Sequence, residues 1–229
     1  IEPTLPWAND HFLERVGGQP INPGEQWKNW PYALKADTFR GPTGQFNHNY
    51  MERYWPRYAG QTEDGKLLAG MDSRGKDQNF GIRANYGDLG DLVQLFLRDP
   101  LTRQGYLPVW FPEDTGSLNG RVPCSLGYHM MRRNNRLNIT YFIRSCDLLR
   151  HFRDDIYMTA LLNIWVLEEL KKRDPANWSQ VEPGMFTMII SSLHMFKNDW
   201  TRIFDYSSVH VGKIFEFGNG PGIGSRDDG

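Results

Sequence analysis

The sequence predicts an α+β fold, and three stretches predict it. Leu89, Leu92, Val93, Phe96 and Leu97 recur at helical spacing and stop at Asp99-Pro100. Leu126, Tyr128 and Met130 alternate, as do Leu137, Ile139, Tyr141 and Ile143, and the Asn134-Asn135 pair between the two runs is a turn signal. A long apolar stretch from Leu148 to Lys172 reads as a central helix. Helices and a hairpin interleaved without a strict strand–helix repeat fit α+β better than a parallel α/β sheet.

The elements follow in order along the chain. Residues 1–60 are rich in Pro, Gly and Trp with little periodicity; "ERVGG" reads as a turn, and "NYMERYWPRYAG" as a short helix stopped by Pro56. Residues 60–88 are polar and glycine-rich and read as a long surface loop. "GYLPVWF" reads as a strand, followed by the hairpin, with Arg144 at the end of its second strand. The helix after it is apolar nearly all round beyond Asp155, which predicts burial on every side. "MFTMII" reads as a buried strand with "SSLHMF" at its exit, and "FGNGPGIGSRDDG" as a polar tail.

Composition narrows the function classes. The 229 residues suit one large domain or two small ones and are enough for a sizeable core. A formal net charge of −1 with interspersed signs argues against a nucleic-acid-coating protein. No run of about 18 apolar residues suggests a membrane span, and no secretory signal is visible, so a cytoplasmic setting is expected. Two cysteines make no disulfide framework, and no Cys/His cluster has zinc spacing, so no metal is expected.

Taken singly, the polar residues have ordinary readings beside chemical ones. Cys124 in "RVPCSLGYH" is either a small buried hydrophobe or a thiolate nucleophile, and the second needs positive charge nearby. Arg144 sits where hairpin register would bring it to Cys124. Arg144 and Ser145 can grip phosphate through paired guanidinium donors and a hydroxyl, or Arg144 can pair with Asp147. His194 alone reads as a core histidine, and Glu52 as a solvated charge.

Taken in order, they resemble the thymidylate synthase superfamily, and within it the bacteriophage-type deoxycytidylate hydroxymethylases. "RVPCSLGYH" resembles the nucleophile segment, "RSCD" follows twenty residues after the cysteine, and "FRDD" opens the central helix. "SSLHMF" follows later, while "ERVGG", "ERYW" and "RDPLTRQ" are similar to upstream motifs of the family. The resemblance implies a single domain over 1–229, a mixed sheet packed on helices, and a homodimer formed through a sheet face. It implies that Cys124 attacks C6 of a pyrimidine nucleoside monophosphate, whose C5 then takes a one-carbon unit from 5,10-methylenetetrahydrofolate. Glu52 would organise water and proton transfers. Arg15, Arg144 and Ser145 would hold the 5′-phosphate, with Arg103 reaching it from the other subunit. Asp147 would face the pterin, and His194 the sugar.

Asp155 stands where thymidylate synthases carry asparagine. An amide both donates and accepts, whereas an ionised carboxylate only accepts. Uracil O4 would face it without a donor, while cytosine offers its amino group, so Asp155 implies dCMP and a hydroxymethyl product. The ordinary reading is a helix N-terminal charge, which Asp154 can also supply. Water must reach the C5 methylene for hydroxymethylation, and the polar "GIGSRDDG" tail and the unrecognisable tryptophan segment between Glu52 and Tyr86 both favour that. Phe196 replaces the family's tyrosine, Gln104 replaces a second phosphate arginine, and "KKRDPANWSQ" reads as a longer connection. A dUMP hydroxymethylase, a thymidylate synthase, and a catalytically silent nucleotide-binding homologue are the alternatives.

Overall fold

A computed structural model describes residues 2–22, 24–32, 36, 38, 40, 44–46, 49–59, 86–115 and 121–199. The chain divides into two compact units, residues 1–193 and residues 194–229. Of the expected loop over 60–88, residues 60–85 lie outside the described residues, as does the tail over 217–229. Among the described residues no helix is long and apolar enough to cross a membrane.

The first unit is α+β. Helix α1 spans Trp7–Val16, α2 Tyr50–Tyr54, and α3 Leu89–Arg98. Helix α4 spans Phe152–Arg173, and α5 is a single turn at Pro175–Trp178. Strands β1 (Tyr106–Pro108), β2 (Ser125–Arg133), β3 (Arg136–Ile143) and β5 (Glu182–Ile190) form one mixed sheet in the order β1-β2-β3-β5. The first two pairings are antiparallel and β3–β5 is parallel. Strand β4 is the pair Cys146–Asp147.

Local chemistry explains the boundaries. Asp88 and Asp91 close a reciprocal capping box at the start of α3, each carboxylate accepting the other residue's backbone N–H at 3.0–3.1 Å. Asn134 and Asn135 both take positive φ, 49° and 55°, so they make the two-residue turn that suits the twist of a hairpin. Arg144 at the end of β3 then donates its backbone N–H to the Cys124 carbonyl at 2.9 Å. The "GYLPVWF" strand shortens to three residues because the N–H groups of Val109 and Trp110 both turn to the Leu126 carbonyl.

Further sequence expectations change in the fold. The central helix begins at Phe152 rather than Leu148, because Asp147 Oδ1 accepts the N–H groups of Leu149 and Arg150 at 3.0 Å and holds residues 148–151 as a turn. The helix is buried on one side only: Leu162, Val166 and Leu170 are fully buried while Ile164 is 44% exposed. Among the described residues strand β5 is the last strand of its sheet rather than a buried one, with Met185 69% and Ile189 49% exposed. Residues 171–180 are a packed connection, and they deliver Trp178 into the core edge-on to Phe96.

The core lies between one face of the sheet and helices α1, α3 and α4. Leu137, Ile139, Tyr141 and Ile143 point into it from β3, in step with the predicted alternation. A buried pair, Arg53 with Asp114, ties α2 to the segment after β1 through two bonds of 2.6 and 3.0 Å. The second unit opens at His194, whose ring meets Phe196 edge-on at 5.5 Å, and continues into a turn at Lys197–Asp199.

Candidate active site

Cys124 sits immediately before β2, partly exposed and with a free thiol. Arg144 fixes it from the neighbouring strand. Besides the backbone bond to Cys124, its Nε donates to the Pro123 carbonyl at 3.0 Å and its Nη2 to the Val122 carbonyl at 3.2 Å. The guanidinium also lies 5.5 Å from the centre of the Trp110 ring. Part of the predicted phosphate fork is therefore engaged in holding the cysteine loop, while Nη1 keeps both donors clear of those bonds. Asp147 does not pair with Arg144; its Oδ2 lies 3.6 Å from Arg150 Nε.

Burial raises the Cys124 thiol above its ordinary value, Arg144 opposes this, Asp155 adds to it and Arg121 opposes it again. The thiol is thus mostly protonated in the free protein, and its two arginines limit rather than reverse the effect of burial.

Asp155 faces inward from the first turn of α4. Its Oδ2 accepts from the Cys146 thiol at 3.6 Å, a length suited to sulfur. Burial of the carboxyl, only partly countered by Arg15 and by Cys146, pushes it up to about 7. Asp154 takes the structural task instead: fully buried, it accepts the Thr4 N–H at 2.6 Å and the Thr4 hydroxyl at 3.0 Å, pinning the N-terminal segment to α4. An acceptor-only Asp155, expected from the sequence, describes the ionised form alone. With its carboxyl near 7, it carries a proton over part of the neutral range and then offers one donor and one acceptor.

Arg15, in the last turn of α1, is 4% exposed and lies 4.1 Å above the Tyr50 ring. Among the described residues its Nε has no hydrogen-bond partner and no carboxylate forms an ion pair with it. Burial works against its charge, while Tyr54, Tyr128, Tyr50 and Tyr141 surround it. A cation held this way can take an anion from outside the chain at the smallest reorganisation cost.

A hydroxyl chain runs beneath these groups. Ser125 Oγ donates to Tyr50 OH at 3.2 Å and shares a 2.6 Å bond with Tyr141 OH, whose ring stacks on Tyr128 at 4.6 Å. Burial, with Cys124 next, pushes the Tyr50 hydroxyl up to about 12, so it stays protonated. Sequence reasoning missed Tyr50, Ser125, Tyr141 and Arg121. The available signal was that a tyrosine at an inward strand position must find a partner for its hydroxyl, and that Ser125 directly follows Cys124.

The remaining expected residues are placed as follows. Glu52 is buried on α2, two residues after Tyr50. Ser145 is partly exposed between Arg144 and Cys146, and Arg103 is exposed in the turn before β1. Asp147 is buried, with Oδ1 committed to the turn and Oδ2 without a hydrogen bond. His194 belongs to the second unit.

No family model matches the chain. The protein named "Putative thymidylate synthase" of Methanosarcina acetivorans is 23% identical over 143 residues, covering 60% of this chain and 61% of that protein. Its namesake in Methanosarcina mazei is 22% identical over the same span. "Thymidylate synthase" of Rhodopseudomonas palustris is 22% identical over 175 residues, covering 75% of this chain and 54% of that protein. The chain is a distant homologue of thymidylate synthases, and it spans between 54 and 61% of the length of these relatives.

Proposed function

We propose that the protein is a folate-dependent pyrimidine-nucleotide 5-hydroxymethyltransferase that converts dCMP, 5,10-methylenetetrahydrofolate and water to 5-hydroxymethyl-dCMP and tetrahydrofolate. The observation that carries this reading is the convergence of Cys124, Arg144, Arg15 and Asp155 on one partly enclosed cluster. The distant relationship to thymidylate synthases supports the reaction class. Their fold is taken as the frame, with 1–229 as one functional domain.

Arg15, together with Arg144 Nη1 and Ser145, binds the 5′-phosphate, which gives the Arg15 guanidinium an anionic partner. The Cys124 thiol gives up its proton as the substrate binds and adds to C6, so that C5 gains carbanion character. Folate supplies the one-carbon unit when bound, with Asp147 toward the pterin. Glu52 moves protons through ordered water, and His194 approaches the sugar. Asp155 pairs with the N3/N4 edge of cytosine. Its protonated form donates to N3 and accepts from the amino group, which explains how a carboxyl can serve a neutral cytosine.

The assembly is a homodimer through the open face of the sheet, where Met185 and Ile189 are exposed beside the half-buried Phe142. Arg103 reaches the partner's phosphate site. A second reading, use of dUMP, is favoured by one observation: a protonated Asp155 matches uracil O4 and N3–H as an amide does.

Denaturing mass spectrometry after mixing the protein with methylenetetrahydrofolate and 5-fluoro-dCMP or 5-fluoro-dUMP tests the reading. A covalent adduct at Cys124 is expected. Parallel assays with dCMP, CMP and dUMP, read by product mass, assign base and product. Absence of any adduct with either nucleotide would make the protein a silent nucleotide-binding homologue.

A further inference from the structure

We propose that Cys146 is a positioning residue for base selection: its thiol holds one oxygen of the Asp155 carboxyl as an acceptor and leaves the other to carry the proton that meets the pyrimidine edge. The inference rests on Asp155 as the base reader.

The geometry supports it from several sides. Cys146 is 2% exposed, and its short strand is anchored by a bond from its N–H to the Ser192 carbonyl at 2.9 Å. The sulfur is therefore fixed in place, 3.6 Å from Asp155 Oδ2. Burial and the Asp155 charge both drive the Cys146 thiol far above its ordinary value, so it remains an S–H donor across the working pH range. A donor that never titrates specifies the orientation of the carboxyl plane. It also favours the ionised form of Asp155 over the protonated one, because a carboxylate is the better acceptor.

The groups facing the Asp155 carboxyl come from every neighbouring element. Arg15 from α1 favours ionisation, as does Cys146 from β4, while Asp154 on α4 opposes it. Tyr50 from α2, Cys124 ahead of β2 and Tyr141 from β3 also lie within electrostatic reach. Within this set Cys146 is the neutral group that bonds the carboxyl directly. An S–H donor on Oδ2 keeps the proton of the protonated form on Oδ1, the arrangement that gives cytosine N3 a donor and its amino group an acceptor; without that donor the proton can sit on either oxygen, and the reversed arrangement matches uracil. Cys146 thus sharpens discrimination without touching substrate.

The test replaces Cys146 by Ala and by Ser in the full chain under reducing conditions, with thermal melting to verify folding. The first readout needs no substrate: ¹³C NMR titration of the Asp155 carboxyl, assigned by its loss in Asp155→Asn. In Cys146→Ala its midpoint moves up by about 0.5–1 on the pH scale, and in Cys146→Ser it returns to near the wild-type position. The second readout is the dCMP-to-dUMP ratio of kcat/KM from pH 6 to 8. That ratio falls with pH in the wild type, as the carboxyl loses the proton that meets cytosine N3. At pH 7 it drops roughly three- to tenfold in the Ala variant, because the proton no longer has a fixed oxygen, and Ser restores it. An unmoved midpoint in Cys146→Ala overturns the inference. So does a midpoint that moves while the ratio stays constant in a wild type that uses both nucleotides. Failure of the function reading is separate: the wild type then turns over neither nucleotide, and the NMR titration alone decides the Cys146–Asp155 relationship.

Discussion

Arg144 holds Cys124 from the next strand: its backbone N–H bonds the Cys124 carbonyl at 2.9 Å, and its guanidinium bonds the carbonyls of Pro123 and Val122. One arginine thereby fixes the loop that carries the thiol and supplies the largest opposition to the burial that raises it. Replacing Arg144 by Ala should raise the pH at which Cys124 reacts with iodoacetamide, by up to about one on the pH scale. Arg144→Lys keeps the charge but not the fork, so it should recover the pH profile more than the stability. Alkylation followed by mass spectrometry across pH 6–10 checks both.

Cys124→Ala should abolish turnover and release of tritium from C5 while leaving the thermal transition in place, since the residue is only partly buried. Turnover retained in that variant would contradict covalent activation of the pyrimidine.

Arg103 is exposed in the described subunit, as a residue serving a neighbouring subunit would be. Chains carrying Arg103→Ala and chains carrying Cys124→Ala should each be inactive alone. Mixed and re-associated, they should regain up to about a quarter of wild-type activity through hybrid dimers, because only half the dimers are hybrid and each has one intact site. Sedimentation at micromolar concentration should show a dimer, and a fully active monomer would rule the arrangement out.

Asp155→Asn should move the preference from dCMP toward dUMP by about ten- to a hundredfold in kcat/KM, the worth of one mismatched polar contact. It should also stabilise the protein in a defined pH window. The carboxyl is raised from its ordinary 3.8 to about 7, so the native state binds that proton more tightly than the unfolded chain. Native stability therefore falls as pH rises from about 4 to about 7, and the loss is complete above that. The advantage of Asn should be absent near pH 4 and level off above pH 7. A gap of about three pH units caps it at ~4 kcal/mol, and solvent access to the half-buried residue brings it nearer ~2 kcal/mol. Denaturant unfolding at pH 4, 6 and 8 checks the trend.

Arg53 and Asp114 form a buried bidentate pair that ties α2, with Tyr50 and Glu52, to the segment after β1. Asp114→Ala strands the guanidinium and should cost about 3–5 kcal/mol. Replacing both partners by apolar residues of similar volume should recover much of that loss, as measured by urea unfolding.

Features that depend on near neighbours are legible in the residues alone. The hairpin follows from alternation on both sides of Asn134-Asn135, and α3 from its spacing and the Asp99-Pro100 stop. The approach of Arg144 to Cys124 follows from hairpin register, which converts a twenty-residue separation into adjacent strand ends. Tertiary structure decided what depends on burial by distant segments. "MFTMII" is as apolar as a core strand, yet nothing pairs beyond β5 within the described chain, and only the sheet order reveals that it is an edge. The start of α4 moved because one oxygen of Asp147 outcompeted helical bonding for two N–H groups. The division of labour between Asp154 and Asp155 was invisible in "FRDD", since it requires Thr4 on one side and Cys146 with Arg15 on the other. Protonation is the clearest case: adjacent residues of identical chemistry differ because the desolvation and partners of a carboxyl are set by what the whole fold packs against it.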